Sequence, residues 1–240
     1  MSDKKTAITA TAPPSPTGLA VQGQPQEIGF LEGEDSSDMI IPRAHLFQGT
    51  NTESKIFGKE AEPGELYNSV TGEKIGTTKF LVVDGFKDWA DIQDNKVVFA
   101  SKNKSDFQPD DLEWHDHTPP RVQERINFIC LFDGEEWPMI LRFKKTSLAA
   151  GRTLNTMLKL HKGRKMYELT TKERDFEKGS CLVPVIKPAG DPPAEMYALA
   201  CDLRDSLKGR KVEVAESELD EEMPETDGTN NAATKGGTPF

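Results

Sequence analysis

The sequence predicts a mainly β fold with one helix inserted between strand pairs, a second helix near the C-terminus, and disordered termini. Three observations support this prediction. Short alternating apolar runs, separated by Gly, Pro and Asp, dominate residues 61–143 and are typical of strands and tight turns. Two later segments, ending near His161 and Gly209, have apolar residues at helical spacing. Both ends of the chain carry few large apolar side chains.

The two ends flank one folded core. Residues 1–38 are rich in Pro, Thr, Ala and Gly and have no hydrophobic period, so we predict a disordered arm. Residues 212–240 are acidic and offer almost nothing to bury, so we predict a disordered tail. Residues 39–211 remain as a single domain, which is long enough to bury a hydrophobic core.

Strands and turns are predicted for the first part of the domain. Residues 61–76 alternate the turn pairs Pro63-Gly64 and Thr71-Gly72 with short apolar pieces. Residues 77–92 carry two β-rich runs around Asp84-Gly85, and residues 96–100 carry another. Residues 102–125 contain three prolines without a sustained period, which favours a long loop of the kind usually kept for function.

A hairpin is predicted over residues 126–143. One face of its first strand is apolar, with Ile126, Phe128, Cys130 and Phe132 at alternate positions. Asp133-Gly134 then turns the chain into residues 138–143, which alternate in the same way. The aromatic side chains that we assign to the core are Phe128, Phe132 and Phe143.

The inserted helix has two stripes of different chemistry. Thr146 or Ser147 can cap it, it runs to about His161, and Gly163 ends it. Its apolar stripe consists of Leu154, Met157, Leu158 and His161. Its other stripe, which gives the helix a basic outer face, consists of Arg152, Asn155, Lys159 and Lys162.

The order of the elements indicates the architecture. Strands over residues 166–171 and 181–186 follow the inserted helix, and Asp191-Pro192-Pro193 begins a final helix that Gly209 ends. Short strands, a helix between strand pairs and a terminal helix suit a small Greek-key barrel. We therefore predict an OB-like five-stranded barrel, OB being the oligonucleotide/oligosaccharide-binding type.

Enzyme signatures are missing from the sequence. There is no G-x-S-x-G, H-E-x-x-H or Rossmann fingerprint, and residues 72–79 have the wrong spacing for a phosphate loop. His115-Asp116-His117, beside Asp110, Asp111 and Glu113, has metal-ligand residue types but lacks further spaced ligands. We therefore expect a protein that is not an enzyme and that takes no cofactor and no metal.

Cysteine usage and hydropathy indicate the compartment. The three cysteines, Cys130, Cys181 and Cys201, form no C-x-x-C pair, so neither a disulfide framework nor a thiolate zinc site is indicated. The N-terminus lacks an apolar signal region, and no stretch approaches the roughly 18 to 20 apolar residues that span a bilayer. We therefore expect a cytoplasmic protein with no membrane partner.

Charge is segregated along the chain. The net charge of −10 would argue against a polyanionic partner. However, residues 212–234 contain eight carboxylates and no Lys or Arg, whereas residues 142–178 contain eleven Lys and Arg against four acids. The basic segment is also interleaved with aromatic residues, and this mixture suits a single strand of nucleic acid, because cations follow phosphates while rings stack on bases.

Two sets of candidate binding residues follow from this pattern. The candidates for contact with DNA are Phe86, Lys87, Trp89, Arg142, Lys144, Lys145, Arg152, Lys159, Lys162, Arg164, Lys165 and Tyr167, with Phe86, Trp89 and Tyr167 as the stacking rings. The candidates for a partner-binding tail are Glu221, Glu222, Asp227, Pro239 and Phe240. An aromatic side chain beside its own carboxylate can enter an apolar pocket with a basic rim. The tail carboxylates can also compete with phosphates for the basic surface.

The ending Thr238-Pro239-Phe240 and the acidic run 213–227 resemble the tails of bacterial and bacteriophage single-stranded DNA-binding proteins, which pair an OB fold with an acidic tail. The segment 230–237 departs from the bacterial pattern because it is neutral to basic, with Lys235. The core segments IIPRAHLFQGT, EPGELYNSVTGEKIG and PMILRFKKTSLAAGRTLNTMLKL also resemble a class of phage early-region proteins, over about residues 39–187.

These resemblances imply sequence-independent binding and protection of single-stranded DNA during phage replication or recombination, in the host cytoplasm. The tail would recruit replication or recombination proteins. Two alternatives stay open: a host-takeover or structural interaction protein that does not bind DNA, and a metal-dependent nuclease built on the loop around His115. A homodimer is compatible with the sequence, which also leaves open whether the protein coats or anneals strands.

Overall fold

A six-stranded antiparallel sheet dominates the computed structural model of the protein. The structure describes residues 40–93, 96–115, 119–135, 137–176, 179–208 and 213–214. In chain order, the strands and α-helices of these residues are β1 (Ile40–Ile41), β2 (Ala44–Leu46), α1 (Asn51–Phe57), β3 (Leu66–Asn68), β4 (Lys79–Gln93), β5 (Lys96–Ser101), β6 (Val122–Phe132), β7 (Met139–Lys144), α2 (Leu148–His161), β8 (Met166–Phe176), β9 (Gly179–Gly190), α3 (Ala194–Leu207) and β10 (Glu213–Val214).

The strand order of the sheet is β7-β6-β4-β8-β9, and β5 also pairs with β4. Strands β4, β6 and β7 form a meander, α2 follows, and the β8–β9 hairpin returns to β4, which is the OB arrangement. The fold is therefore mainly β and OB-like, as predicted. The sheet has six strands where five were predicted, and it is open: within the described residues, β7 and β9 do not pair with each other.

Strand β4 is continuous through Asp84-Gly85, where the sequence analysis expected two separate runs. The register between β4 and β6 shifts at a bulge between Val82 and Asp84, and the two strands stay paired on both sides of this bulge. Gly85 also allows close packing, because a Cβ there would lie only 2.8 Å from the Phe128 ring on β6. This Asp-Gly pair therefore bends a strand instead of ending one.

Each face of the sheet packs against one helix. The apolar stripe of α2 covers the face that carries Phe128, Cys130 and Phe132, and Leu154 of that helix is fully buried. Helix α3 covers the opposite face, where Ala200 packs near Leu81. The predicted core positions Phe128, Phe132 and Phe143 are confirmed as buried.

Residues 42–68, which include β2, α1 and β3, contact both β7 and β9, the two strands that do not pair with each other among the described residues. At one side, the Ile140 backbone N–H of β7 donates to the Pro42 carbonyl over 2.8 Å. At the other, the Gln48 side-chain amide donates to the Leu182 carbonyl of β9 and accepts from its N–H, each over 3.0 Å. The segment thereby satisfies strand-edge groups that barrel closure would otherwise pair.

Helix α1, which the sequence analysis did not predict, begins with a complete capping box formed by Thr50 and Glu53. The buried Glu53 carboxylate accepts from His45 Nε2 over 2.7 Å, and from the backbone N–H groups of Gln48 and Thr50 over 3.0 and 2.9 Å. Burial raises the pKa of Glu53, but the hydrogen bonds from His45 and Thr50 outweigh burial and hold the pKa below its ordinary value.

We expect Glu53 to make the stability of the fold sensitive to acid. Because the pKa of Glu53 is lower in the folded chain than in the unfolded one, its contribution is present above the ordinary value of 4.5 and is lost as the pH falls through the lowered pKa. The Glu53→Gln variant should therefore be less stable than wild type at about pH 6. In urea denaturation the difference should shrink toward about pH 3; a difference that grows on acidification would contradict this assignment.

The C-terminal end of the described chain extends beyond the predicted domain boundary. Glu213 and Val214 form β10, which pairs in parallel with β1, whereas the sequence analysis placed both residues in a disordered tail. The other predicted boundaries of the arm and the tail lie outside the described residues. No helix in the described part of the chain is long and apolar enough to cross a membrane.

Candidate functional site

A groove of about 620 Å³ runs along the middle of β4, between this strand and α2. Residues 82–87 form its β4 side, α2 contributes from Arg152 onward, and Arg204 reaches it from α3. We call this space the β4 groove. The polar and charged residues that line it are Asp84, Lys87, Arg152, Asn155, Lys159, Lys162 and Arg204.

The β4 groove lies where β4 lacks a strand partner on one side. On the covered side, β6 pairs with β4 from Phe80 to Asp91. On the opposite side, β8 pairs with residues 79–81 only, and β5 pairs with residues 89–93. Within the described chain, no strand pairs with residues 82–88 on that side, so the backbone edge of β4 borders the groove.

Positive charge dominates the lining of the β4 groove. Among the described residues, its lining has five basic side chains and one carboxylate, that of Asp84. Two of the basic side chains share the carboxylate of Glu124, a neighbouring residue on β6: Lys87 Nζ lies 2.5 Å from Oε1 and Arg152 Nη2 lies 3.1 Å from Oε2. Burial raises the pKa of Glu124, but Lys87 and Arg152 outweigh burial and hold the pKa below its ordinary value.

The other three basic side chains have no such partner among the described residues. In the part of the chain that the structure describes, the side chains of Lys159, Lys162 and Arg204 make no hydrogen bond or ion pair. Lys159 and Lys162 lie one turn apart on α2, and Lys162 takes the left-handed conformation that ends the helix. An anion entering the groove would therefore meet cations that need not first be released from carboxylates.

Five of the twelve predicted DNA-binding residues line the β4 groove: Phe86, Lys87, Arg152, Lys159 and Lys162. The basic stripe predicted for α2 therefore faces a concave surface that β4 completes. Arg204, which the sequence analysis missed, joins them through the packing of α3 on the sheet. Within α3, the buried stripe gives no local signal that Arg204 lines the β4 groove.

Two predicted DNA-binding residues, Tyr167 and Arg142, make contacts within the fold and do not line the β4 groove. Tyr167 is fully buried, its hydroxyl lies 3.1 Å from His161 Nδ1, and its ring packs near Phe80, so it cannot stack on a base. Arg142 is half-buried and donates to Asn127 Oδ1 over 2.9 Å. Asn127 belongs in turn to a buried polar network with Asp88 and Arg125. The strand pattern around both residues, and not their charge or ring, determines where they lie.

Four further predicted residues lie outside the lining of the β4 groove. Lys144 is the last residue of β7, and Lys145, which has a positive φ of 48°, begins the turn between β7 and α2. Arg164 and Lys165 follow α2, and Lys165 Nζ lies 2.6 Å from Asp191 Oδ1. The structure does not place these four side chains with the groove cations.

The two remaining predicted stacking rings lie on opposite faces of the sheet. Phe86 is paired with Asn127, and Trp89 with Glu124, which face opposite sides of β6. Trp89 is half-buried on the α2 face, where Lys87 Nζ lies 6.0 Å from its ring centroid. Phe86 is half-buried on the other face, with Lys102 Nζ 4.6 Å from its ring centroid. Each ring is therefore accompanied by a cation, but the two cannot form one continuous stack.

The loop around His115, whose metal-ligand residue types were weighed in the sequence, falls partly outside the described residues. His115 is described, and its Nε2 lies 2.8 Å from the Asp110 carbonyl oxygen, whereas Asp116 and His117 are not described. No group of three or more potential metal ligands is found among the described residues.

The predicted tail residues Glu221, Glu222, Asp227, Pro239 and Phe240 also lie outside the described residues.

Comparison with known proteins identifies a family. The family model described as Pam3 phage gp34-like protein matches residues 18–213, which include every described element except the last residue of β10. Neither the curated proteins nor the solved structures contain a match. The family match supports the predicted phage origin, and it covers most of the chain. The protein belongs to the Pam3 phage gp34-like family.

Proposed function

We propose that this phage protein binds single-stranded DNA in the β4 groove without strong sequence preference, protecting the strand during replication or recombination in the host cytoplasm. The observation that supports the proposal most is the set of three unpartnered cations, Lys159, Lys162 and Arg204, in one groove of the described chain. In this proposal the protein has a binding function and not a catalytic one.

The groove chemistry favours a polyanionic strand over a single small anion. The cations are spread along α2 from Arg152 to Lys162, a distance of about 15 Å at 1.5 Å per residue, which exceeds the size of one phosphate group. Trp89 lies on the same face as Lys87 and offers part of its ring to an unpaired base. Lys87 and Arg152 would exchange the Glu124 carboxylate for phosphate when the strand binds.

An oligo(dT) titration at two salt concentrations tests the proposal. Each phosphate contact with a single strand contributes about −0.7 to the slope of log affinity against log salt. If all five groove cations contact phosphates, affinity should fall roughly 100-fold between about 50 and 200 mM salt. Fluorescence polarisation should also show weaker binding to a duplex of the same length. Absence of oligo(dT) binding at low salt would remove the proposal.

The double variant Lys159→Gln/Lys162→Gln should bind oligo(dT) about 10- to 100-fold more weakly at low salt, because two phosphate contacts are lost. The magnitude of its salt slope should decrease by about 1.4. The matched control is Lys172→Gln/Lys187→Gln, which removes the same charge from exposed positions on β8 and β9 outside the groove. Equal losses in the two double variants would show that binding depends on net charge only.

The acidic tail is proposed to recruit replication or recombination proteins through Pro239 and Phe240 and to compete with DNA for the basic groove. Ending the chain after Val214 removes seven of the eight clustered carboxylates and preserves β10. We expect this truncated protein to bind oligo(dT) as tightly as the full chain or more tightly, with the largest gain at low salt. Weaker binding in the same polarisation assay would show that the tail contributes to the DNA site.

Two other outcomes would favour the alternative functions. Co-purification of a host protein that survives nuclease treatment, together with no oligo(dT) binding, would favour an interaction protein. Cleavage of labelled DNA with Mn²⁺, lost in the His117→Ala variant, would favour a nuclease. Sedimentation of the full chain with and without oligo(dT) would decide whether a homodimer takes part.

A further inference from the structure

The face of the sheet that α2 covers also carries an exposed aromatic side chain that lies outside the β4 groove, that of Phe99. Phe99 of β5 is 49% exposed, and its ring packs against that of Phe107 with 5.3 Å between centroids. Phe107 is half-buried and follows a short 3-10 turn that continues the chain from β5. Phe107 therefore supports the Phe99 ring from one side and leaves about half of that side chain open to solvent.

The strand register connects Phe99 to the groove. Trp89 is paired with Ser101 and Asp91 with Phe99, and residues directly opposite each other in an antiparallel pair share a face. Trp89 and Phe99 are therefore diagonal neighbours on the α2 face, within the distance that aromatic side chains can bridge. Lys87, two residues before Trp89, lies on this face too and lines the groove. Along the α2 face of the sheet, the groove cations are thus followed by the ring of Trp89 and then by the ring of Phe99.

We propose that Phe99, supported by Phe107, is a base-stacking position that extends the β4 groove, an inference that rests on the proposed function. The occupant is an unpaired base of the strand whose phosphates lie on the groove cations. The partly exposed ring, its support by a second ring, and its continuity with Trp89 and Lys87 carry the assignment. Stacking of this kind does not depend on base identity, because every base has a π face.

Two oligonucleotides separate stacking from phosphate contact. The probes are oligo(dT) and a strand of equal length in which every nucleotide is abasic, so that the phosphates remain and the bases are missing. The Phe99→Ala variant should bind oligo(dT) about 5- to 150-fold more weakly, as expected for the loss of one stacked base. Its affinity for the abasic strand should equal that of wild type.

The matched control is Phe176→Ala, because Phe176 is also an exposed ring, at 41%, with a cation, Arg174, 5.5 Å from its centroid. Strand β8 pairs with β4 at residues 166–168 and then runs away from the groove, so Phe176 lies at the far end of the hairpin. We expect Phe176→Ala to bind both probes as wild type does. Equal losses in the two variants would overturn the stacking assignment.

A second variant keeps the inference falsifiable if Phe99→Ala folds poorly. The Phe99→Trp variant should retain oligo(dT) binding. Because the new indole stacks on a base, oligo(dT) should quench more tryptophan fluorescence in this variant than in wild type. Quenching equal to that of wild type would overturn the inference. Wild-type binding that Phe99→Ala leaves unchanged would also overturn it and would point to a protein partner for this ring. If wild type bound neither probe, the proposed function itself would fail, and the inference with it.

Discussion

Replacement of Asp88 by alanine is expected to lower the free energy of unfolding by about 3–5 kcal/mol, because it removes one partner of a buried ion pair. The Asp88 carboxylate accepts from both Nε and Nη2 of Arg125, with 3.1 Å for the Nε contact, and from Asn127 Nδ2 over 2.8 Å. All three residues are buried. Without the carboxylate, the Arg125 guanidinium keeps its desolvation penalty but loses these hydrogen bonds.

Urea denaturation followed by circular dichroism measures this effect. The matched control is Asp205→Ala, which removes the same charge from an exposed ion pair with Lys208, 2.6 Å away. We expect this control to leave the denaturation midpoint unchanged, because exposed pairs contribute little. If Asp88→Ala were as stable as the control, the polar network would not be a structural element of the sheet.

Leu154→Ala is expected to lower the free energy of unfolding by about 2–5 kcal/mol. Leu154 is fully buried where α2 packs against the sheet, and the substitution leaves a cavity between the helix and the strands. Because α2 also carries Lys159 and Lys162, loosening this contact should weaken oligo(dT) binding as well. The change in stability and the change in affinity should therefore appear together.

Leu160→Ala provides the control on the same helix. Leu160 is 74% exposed, so the same substitution there removes little buried area and leaves no cavity. We expect a change in the free energy of unfolding within about 0.5 kcal/mol, measured by the same urea titration. A large loss of stability in Leu160→Ala would mean that this side chain is covered by another molecule in solution.

Much of the fold could be predicted because hydrophobic period and burial agree. The alternation Ile126, Phe128, Cys130 and Phe132 indicates one strand face, and all four side chains are in the core. Leu154, Met157 and Leu158 likewise pack against the sheet at helical spacing. An Asp-Gly pair such as Asp84-Gly85 gives the same local signal for a turn and for a bulge. The bulge is selected by a contact that the local sequence does not show: the close packing of Gly85 against Phe128, 43 residues later.

The candidate site was predicted in part for the same reason. Arg152, Lys159 and Lys162 are spaced along one helix, so their common face follows from the period of that helix. Arg204 joins them only through tertiary packing, which no local pattern encodes. Tyr167 lies in the same basic segment, but its position on β8 opposite Phe80 directs it inward. Charge patterning therefore predicts which helix lines the β4 groove but not which neighbours complete the groove.

The first part of the domain, from β1 to β3, has a consequence for the order in which the chain can fold. Gln48 is hydrogen-bonded to Leu182, 134 positions later in the chain. Strand β1 pairs with β10, at residues 213–214. During synthesis these early residues leave the ribosome long before their partners exist, and such non-local contacts slow folding. Until Leu182 and then Val214 emerge, Gln48 and β1 lack these partners, so their backbone edges stay open to non-native pairing until late in translation.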